Sequence, residues 1–350
     1  MNIKQIIKGR RENKENLKHL LENLYTISAK SKTIVICLDS TDRSYLGCVK
    51  VTHRLFPNNT LLIPSYYSNV LLSSDQKLKF CNELINLNLD QIIISGHPES
   101  LNFIVDYCYN KIKLKTVFYG ALSELIVKQN DVQFSKIMEY LKDGKLVSIG
   151  YNKAGLAEWM NNLFGFNTYF IQLFSNIKAI KPNNNPIKKI GVLGAPNFNK
   201  NVVNAIAASL SIEDTEIHTF SKVGFLKGSF ENRIISYDIL TDQEFEDLRN
   251  DMDLNIHISF SEGSGGQIFI DSLASGIPCI TSLNNDYLVG NEYLSDLLVI
   301  DQYDNPEIIK NSILNVLNED KLRLRNEVLD HVSFKNKEGN RLLDAFINSH

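Results

Sequence analysis

The chain has 350 residues, which is enough for two domains of ordinary size, and its 43% of apolar residues is enough for normal hydrophobic cores. A net charge of -3 gives no general attraction to nucleic acid, so we expect no nucleic-acid partner. The five cysteines are scattered and form no CxxC pair. This pattern disfavours a disulfide scaffold and a zinc site, and it favours a reducing, cytoplasmic location.

Segment 1–25 predicts a helix with apolar residues and an excess of basic ones. It is too charged for a secretory signal, and no segment of the sequence approaches a transmembrane span. Two interpretations fit the helix. It is either a solvated helix packed on its domain, or a basic face that makes peripheral contact with anionic lipid at the inner membrane face.

Strand and helix patterns alternate through the first half of the chain. Short, β-branched apolar runs predict buried parallel strands. They lie at 32–39, 59–65, 90–96, 115–120 and 144–150. Helical patterns fill gaps between them, at 75–87, 100–109 and 154–164. Strands that alternate with helices indicate a parallel, doubly wound sheet.

The alternation of strand and helix patterns is interrupted at Asn176–Lys189, where two prolines and several asparagines and lysines indicate a linker. A second alternation follows it, with strands at 189–196, 215–221, 255–261, 277–282 and 296–301 and helices at 201–210, 267–276 and 305–319. We therefore predict an α/β chain of two Rossmann-like domains, 1–178 and 179–335. A last helix, 336–350, is predicted to pack back on the first domain. Two such sheets facing each other would form a cleft between the domains, where open α/β sheets bind ligands.

The stretch "SFSEGSGGQIFIDSLASGIPCI", residues 259–280, places a glycine-rich turn between a strand and a helix. Glycines let backbone N–H groups approach a ligand, and a helix N-terminus suits a phosphate. Glu262 would repel a phosphate at that position. Its carboxylate therefore predicts a contact with another partner, such as sugar hydroxyls.

With these residues the chain resembles the retaining glycosyltransferases of the "group 1", family 4 type, which have the GT-B fold of two facing Rossmann-like domains. Ser261, Glu262, Gly263, Gly265 and the ending "ASGIPCI" match the family's signature. The resemblance implies a UDP- or GDP-linked sugar donor in the C-terminal half. Glu262 would contact the transferred sugar, and the turn would bind the diphosphate, with the residues Ser261, Gly263, Ser264, Gly265 and Gly266.

The second acid of the family's signature would hold the ribose hydroxyls, and Asp271 is the residue that takes this role here. Eight residues separate it from Glu262, one more than in the family, and an aspartate replaces the family's glutamate. The alternative interpretation of Asp271 is an early-helix acid that the helix macrodipole stabilises.

The loop of "GVLGAPNFNKN" is the second segment that carries the resemblance. Gly194 and Lys200 match the family's glycine and its diphosphate-binding lysine, and Asn199 is a candidate polar contact. Ala195 stands where the family has an arginine, so leaving-group stabilisation would rest on Lys200 and on backbone amides. The alternative for Lys200 is an ordinary solvated lysine.

The N-terminal half would bind the acceptor. Arg43 and Gly47 follow the first strand, in the place of the family's glycine loop, and Arg43 suits an anionic acceptor. His97 lies just past a strand end, where family members place a histidine over the donor sugar; a buried or capping histidine is the alternative. Tyr119 ends a further strand and is the third candidate acceptor residue.

The implied reaction is transfer of a sugar from a nucleotide sugar to a glycan, lipid-linked or polysaccharide acceptor, with retention of configuration, in bacterial surface polysaccharide biosynthesis. Glu262, His97 and Lys200 are the expected catalytic residues. No cofactor and no metal is expected. The triplet Asp251–Asp253 has metal-site spacing, but it precedes its strand, and we interpret it as a solvated turn.

Three alternatives remain at this stage. A nucleotide-sugar epimerase shares the two-domain architecture. A degenerate, non-catalytic transferase subunit would explain Ala195 and the altered second acid. A two-domain periplasmic binding protein would need an export signal, which the sequence does not contain.

Overall fold

The computed structural model describes residues 3–39, 43–66, 69–122, 125, 131–181, 187–195, 198–222, 231–261 and 266–349, and the side chains of 3–14, 43–46 and 231 lie outside the description. The chain divides into two compact units. The first unit contains residues 1–173 and 341–350, and the second contains 174–340.

The first unit is built on a seven-stranded sheet, in the order β3-β2-β1-β4-β5-β6-β7. Its neighbouring strands are parallel, except that β3 runs antiparallel to β2. Its strands are β1 Thr33–Asp39, β2 Thr60–Tyr66, β3 Asn69–Val70, β4 Gln91–Ser95, β5 Lys113–Phe118, β6 Ser148–Tyr151 and β7 Thr168–Phe170. The β-branched runs of the central strands are almost fully buried, as expected for a parallel sheet covered on both faces.

Helices connect these strands and bury one face against the sheet. They are α1 Ile3–Ser28, α2 Arg43–Leu55, α3 Ser74–Asn86, α4 Asn102–Cys108, α5 Asp131–Lys142 and α6 Ala154–Phe164. Helix α3 begins at a capping box, in which Ser73 accepts from the Gln76 N–H and the Gln76 side chain accepts from the Ser73 N–H. Helix α6 ends at Gly165, whose φ of 67° suits the left-handed cap.

The second unit is built on a six-stranded parallel sheet, in the order β10-β9-β8-β11-β12-β13. Its strands are β8 Lys188–Val192, β9 Thr215–Thr219, β10 Ile234–Ser236, β11 Leu254–His257, β12 Cys279–Ser282 and β13 Val299–Ile300. The strand order reverses between β8 and β11. Open α/β sheets bind their ligands at the carboxyl ends of the strands at such a switch point.

The helices of the second unit are α7 Val202–Leu210, α8 Asp242–Asn250, α9 Gln267–Ala274, α10 Glu292–Leu298, α11 Pro306–Asn318 and α12 Lys321–Ile347. From Arg341 onwards, the residues of α12 belong to the first unit. The strand predicted at 296–301 is mostly wrong. Helix α10 extends to Leu298, because its apolar residues fall at helical spacing, and only Val299–Ile300 is extended. Throughout the described residues, no helix combines the length and apolar character that a membrane crossing needs.

A buried lysine holds the last turn of helix α12. The Lys115 side chain, on β5, is 0% exposed. Its Nζ donates to the carbonyls of Phe346, Ile347 and Ser349 at 2.7, 2.8 and 2.9 Å, and to the Ser349 hydroxyl at 2.9 Å. The last carbonyls of a helix have no intrahelical donor and carry partial negative charge, so a cation there stabilises the helix end.

Candidate functional site

The loop after β8 lies at the switch point of the second sheet. A short 3₁₀ turn, Phe198–Lys200, precedes helix α7. Gly194 is buried, and a Cβ added to it would lie 3.5 Å from the Cβ of Lys200. The lysine stem therefore packs directly over Gly194. The structure thus brings together Gly194 and Lys200, two residues that the sequence indicates as candidates for donor binding.

Hydrogen bonds join this loop to the segment after β11. The Phe260 N–H donates to the Asn199 carbonyl at 2.9 Å, and the Asn199 side chain donates to the Ser261 carbonyl at 2.8 Å. Asn201 has a φ of 49°, and its side-chain amide donates to the Tyr303 carbonyl. Asn199 thus holds Ser261 against the loop that carries Lys200. Gly194, Asn199, Lys200 and Ser261 share one edge of the sheet.

Three aromatic side chains line the same edge, and sequence reasoning missed them. The rings of Phe198 and Phe260 are stacked with centroids 4.9 Å apart, and the Phe260 and Tyr303 centroids are 5.6 Å apart. The signal in the sequence is an aromatic residue in each of three loops that follow parallel strands. Aromatic residues are so common in cores that the signal carries little weight without the fold.

Gly266 is the residue before helix α9, and its backbone has a φ of 69°. A Cβ at this position would lie only 2.3 Å from Nε2 of the buried His257. Glycine is therefore required both for the backbone conformation and for the close approach of the histidine. It sets the start of α9, whose first N–H groups have no acceptor within the helix and suit an anion.

We expect Gly266→Ala to destabilise the protein more than Gly144→Ala. Gly144 has the same φ of 69°, but a Cβ there would meet nothing within 4 Å. Both substitutions impose about 1–2 kcal/mol of backbone strain. Only Gly266→Ala adds the clash with His257, about 1–3 kcal/mol more. Urea unfolding of both variants measures the difference, and equal losses would contradict the close approach.

Glu262, Gly263, Ser264 and Gly265 lie outside the described residues. Their expected contacts with a sugar and a diphosphate stay predictions. The described residues on either side, Ser261 and Gly266, lie after β11 and before α9 respectively.

Asp271 lies in the second turn of α9, and its carboxylate binds groups of its own unit. One oxygen accepts from the Ser175 hydroxyl at 2.7 Å, and the other lies 3.4 Å from a guanidinium nitrogen of Arg249. The Asp271 and Arg249 side chains are only 15% and 7% exposed. A partly buried pair of this kind is costly to break. Contact with a ribose would have to compete with both partners.

His97 follows β4, and its ring points into the first unit. The residue is 1% exposed, its Nδ1 lies 3.0 Å from the Thr116 hydroxyl, and its ring stacks on Tyr140. Burial lowers the pKa of the imidazole to about 3, so the ring is neutral at pH 7. This placement matches the buried alternative. Contact with a sugar would require the ring to leave this position.

The buried ring makes stability depend on pH. Because the pKa of His97 is near 6.5 when unfolded and about 3 when folded, the unfolded state binds more protons between these values. Stability should therefore be complete above pH 6.5 and fall as the pH falls towards 3. We expect His97→Asn, which tolerates the residue's positive φ, to show a shallower loss between pH 6.5 and 4. Urea unfolding at several pH values tests this, with His19→Asn as the control that removes an exposed histidine and leaves the buried ring in place.

The three candidate acceptor residues lie in different settings. The Tyr119 hydroxyl bonds to the Ser95 hydroxyl at 2.9 Å, and burial raises the pKa of this phenol. Arg43 begins helix α2, and its side chain lies outside the description. Gly47 is exposed inside the same helix, with nothing within 4 Å of an added Cβ.

The triplet Asp251–Asp253 binds lysines. Asp251 lies 2.6 Å from Nζ of Lys189. The Asp253 side chain is 3% exposed, accepts from the Lys189 N–H at 3.0 Å and lies 3.4 Å from Nζ of Lys321. The Asp253 side chain is thus buried, whereas the sequence predicts a solvated turn. Across the part of the chain that the structure describes, no cluster of three or more His, Cys, Asp or Glu residues could hold a metal ion.

The two sheets have the architecture of the GT-B fold, which consists of two Rossmann-like domains, and they confirm the predicted fold class. Solved structures share it. Anabaena HepE, in complex with UDP and glucose, is 11% identical; the match covers 91% of this chain and 100% of HepE, with a TM-score of 0.66. The trehalose-6-phosphate synthase OtsA is 10% identical over 91% of this chain and 98% of its own, with a TM-score of 0.60.

A variant of S. aureus TarM, in complex with fondaparinux, α-GlcNAc-glycerol and UDP, is 15% identical; the match covers 78% of this chain and 58% of TarM, with a TM-score of 0.57. No protein-family model and no curated protein sequence matches the chain. At these identities the likeness establishes the fold, and the site must be argued from the residues of this chain.

Proposed function

We propose that this protein is a glycosyltransferase that takes its sugar from a nucleotide-sugar donor bound by the second unit. The observation that carries the proposal is the arrangement of Gly194, Lys200 and Ser261 at the strand ends of the switch point between β8 and β11, with Gly266 packed against His257 at the end of β11. Bound UDP in the HepE and TarM structures supports a nucleotide ligand for this fold.

The chemistry follows from the charge that develops when the anomeric C–O bond breaks. The departing nucleoside diphosphate gains negative charge, and Lys200 with the N–H groups at the start of α9 would neutralise it. Glu262 would hold hydroxyls of the transferred sugar through charge-assisted hydrogen bonds. This scheme needs no metal ion and no protein nucleophile, and the resemblance to retaining enzymes supports retention of configuration.

The acceptor is proposed on the same resemblance: a glycan or a lipid-linked or polysaccharide chain, with surface polysaccharide synthesis as its use. The basic helix α1 would make peripheral contact with anionic lipid from the cytoplasmic side. Liposome co-sedimentation tests this part. Binding that depends on anionic lipid and weakens with salt supports it, and equal binding to neutral liposomes rejects it.

Calorimetry with UDP and GDP in the presence of EDTA tests the proposal directly. We expect one of the two nucleotides to bind without metal. Thermal shift gives a second measure, because a ligand at a hundred times its Kd adds about 2.7 kcal/mol to the free energy of unfolding. Failure of both nucleotides to bind would reject the donor site.

A non-catalytic transferase subunit is the second candidate, and two observations favour it. Ala195 stands in the place of the family's arginine, and Asp271 is engaged by Ser175 and Arg249. Such a subunit would bind the nucleotide sugar without cleaving the bond between the sugar and the diphosphate. Release of UDP from UDP-glucose by the purified chain distinguishes the two functions.

Glu262→Gln separates sugar recognition from nucleotide recognition. The substitution keeps the size of the side chain and removes its charge, which weakens hydrogen bonds to hydroxyls about twofold in energy. We expect transfer to slow by about tenfold, while the affinity for free UDP stays unchanged. Loss of UDP binding in a folded variant would contradict the assigned role, as would an unchanged transfer rate.

A further inference from the structure

The rings of Phe198, Phe260 and Tyr303, which we call the aromatic ledge, pack against one another at the strand ends of the second sheet. Phe198 is 85% exposed, although its ring stacks on Phe260 at 4.9 Å with an interplanar angle of 19°. Full burial of a phenylalanine stabilises a protein by about 1.5–3 kcal/mol. Phe198 gains little of that stabilisation, and its exposed ring is accessible to a ligand.

Backbone and side-chain bonds fix the ledge in place. The Asn199 carbonyl accepts from the N–H of Phe260, and the Asn199 side chain donates to the Ser261 carbonyl. Asn201 anchors the third ring through the Tyr303 carbonyl. Each ring therefore belongs to a loop that is tied to its neighbour. A surface that is already ordered loses little entropy when a ligand binds to it.

The ledge lies beside the proposed diphosphate site. Phe198 is two residues from Lys200 in the same 3₁₀ turn, and Phe260 directly precedes Ser261. The three loops follow β8, β11 and β13, whose carboxyl ends lie at one edge of the parallel sheet. A ligand with phosphates against Lys200 would present its adjoining ring to the ledge.

We propose that the aromatic ledge stacks on the C–H face of a sugar ring, an inference that rests on the proposed function. The face of an aromatic ring carries partial negative charge and attracts C–H bonds that neighbouring oxygens polarise. The ledge presents rings without a charged group, which suits a neutral ligand. In the sequence, Ser261 leads directly into Glu262, the carboxylate proposed for sugar hydroxyls.

The sugar belongs either to the donor or to the acceptor, and calorimetry with UDP and UDP-glucose tests the donor. If the ledge holds the donor sugar, Phe198→Ala should weaken binding of UDP-glucose by about tenfold and leave UDP within twofold. Phe198→Trp should restore the affinity, whereas Phe198→Leu, which is apolar without a π face, should not. Phe164→Ala is the matched control, because Phe164 is also exposed (46%) and stacked on a phenylalanine.

Saturation-transfer NMR with methyl α-glucopyranoside tests the acceptor. If the ledge holds an acceptor sugar, the ring C–H protons should receive saturation from wild type and lose it in Phe198→Ala, while both UDP ligands bind unchanged. A loss of UDP-glucose affinity or of the NMR signal in Phe198→Ala supports the proposal and identifies the sugar as that of the donor or of the acceptor respectively. If Phe198→Ala weakens the binding of UDP and of UDP-glucose equally, the ledge binds the nucleobase and the proposal is overturned. The proposal is also overturned if Phe198→Ala changes neither the calorimetry nor the NMR result. If wild type binds neither UDP nor GDP but the glycoside signal still depends on Phe198, the proposed function fails and the ledge stands.

Discussion

Lys200→Ala should slow sugar transfer by 2–4 kcal/mol of transition-state energy, about 30- to 1000-fold, by analogy with removal of one preorganised donor. Ala195 stands beside Gly194 where the glycosyltransferases that the sequence resembles have an arginine, so we expect no compensation from a second cation of the same loop. Release of UDP from UDP-glucose, measured with and without acceptor, gives the rate. Lys200→Arg keeps the charge and should retain more activity than the alanine variant.

Lys178→Ala is the matched control for this experiment. Lys178 is exposed and pairs with Glu246 on the surface, where an ion pair contributes about 0–1 kcal/mol. Its loss should leave the rate unchanged. A Lys200→Ala variant that turns over within a few-fold of wild type would show that Lys200 is an ordinary solvated lysine.

Lys115→Met should reduce the free energy of unfolding by about 2–4 kcal/mol. Methionine fills most of the space of lysine, so the packing survives. The carbonyls of Phe346, Ile347 and Ser349 lose their shared donor in a buried setting, and the end of α12 loses its compensating charge. Urea unfolding measures the loss, and hydrogen exchange of the last turn of α12 should accelerate.

Lys113→Met provides the comparison, because Lys113 lies two residues earlier on the same strand and is only partly buried. We expect it to cost about 0.5 kcal/mol or less. If the two methionine variants unfold at the same urea concentration, the bonds from Lys115 do not hold the helix.

The alternation of strands and helices could be predicted because each element carries its own local pattern. The buried β-branched runs of β1 and β4 and the helical spacing of 154–164 all appear in the structure. Short edge elements such as Thr168–Phe170 were missed, since three residues give too little periodicity.

The candidate site was harder to predict, because side-chain partners come from distant positions in the chain. Asp271 accepts a hydrogen bond from Ser175, which is 96 residues away in the sequence, and no local sequence pattern predicts that pairing. The direction of the His97 ring depends on positive φ values at Gly96 and His97. By contrast, Gly194 and Lys200 lie in one loop, so their proximity followed from spacing alone.

The bonds from Lys115 also set an order for events during synthesis. Phe346 is made 231 residues after Lys115, which at 5–20 residues per second takes about 10–50 s. Strand β5 can pair with its neighbours long before then, but throughout that interval it holds a lysine whose native acceptors do not yet exist. A nascent chain at this stage exposes an incomplete sheet face with a charge in it. The first unit should therefore engage chaperones on the ribosome for longer than the second, although its sheet is translated first.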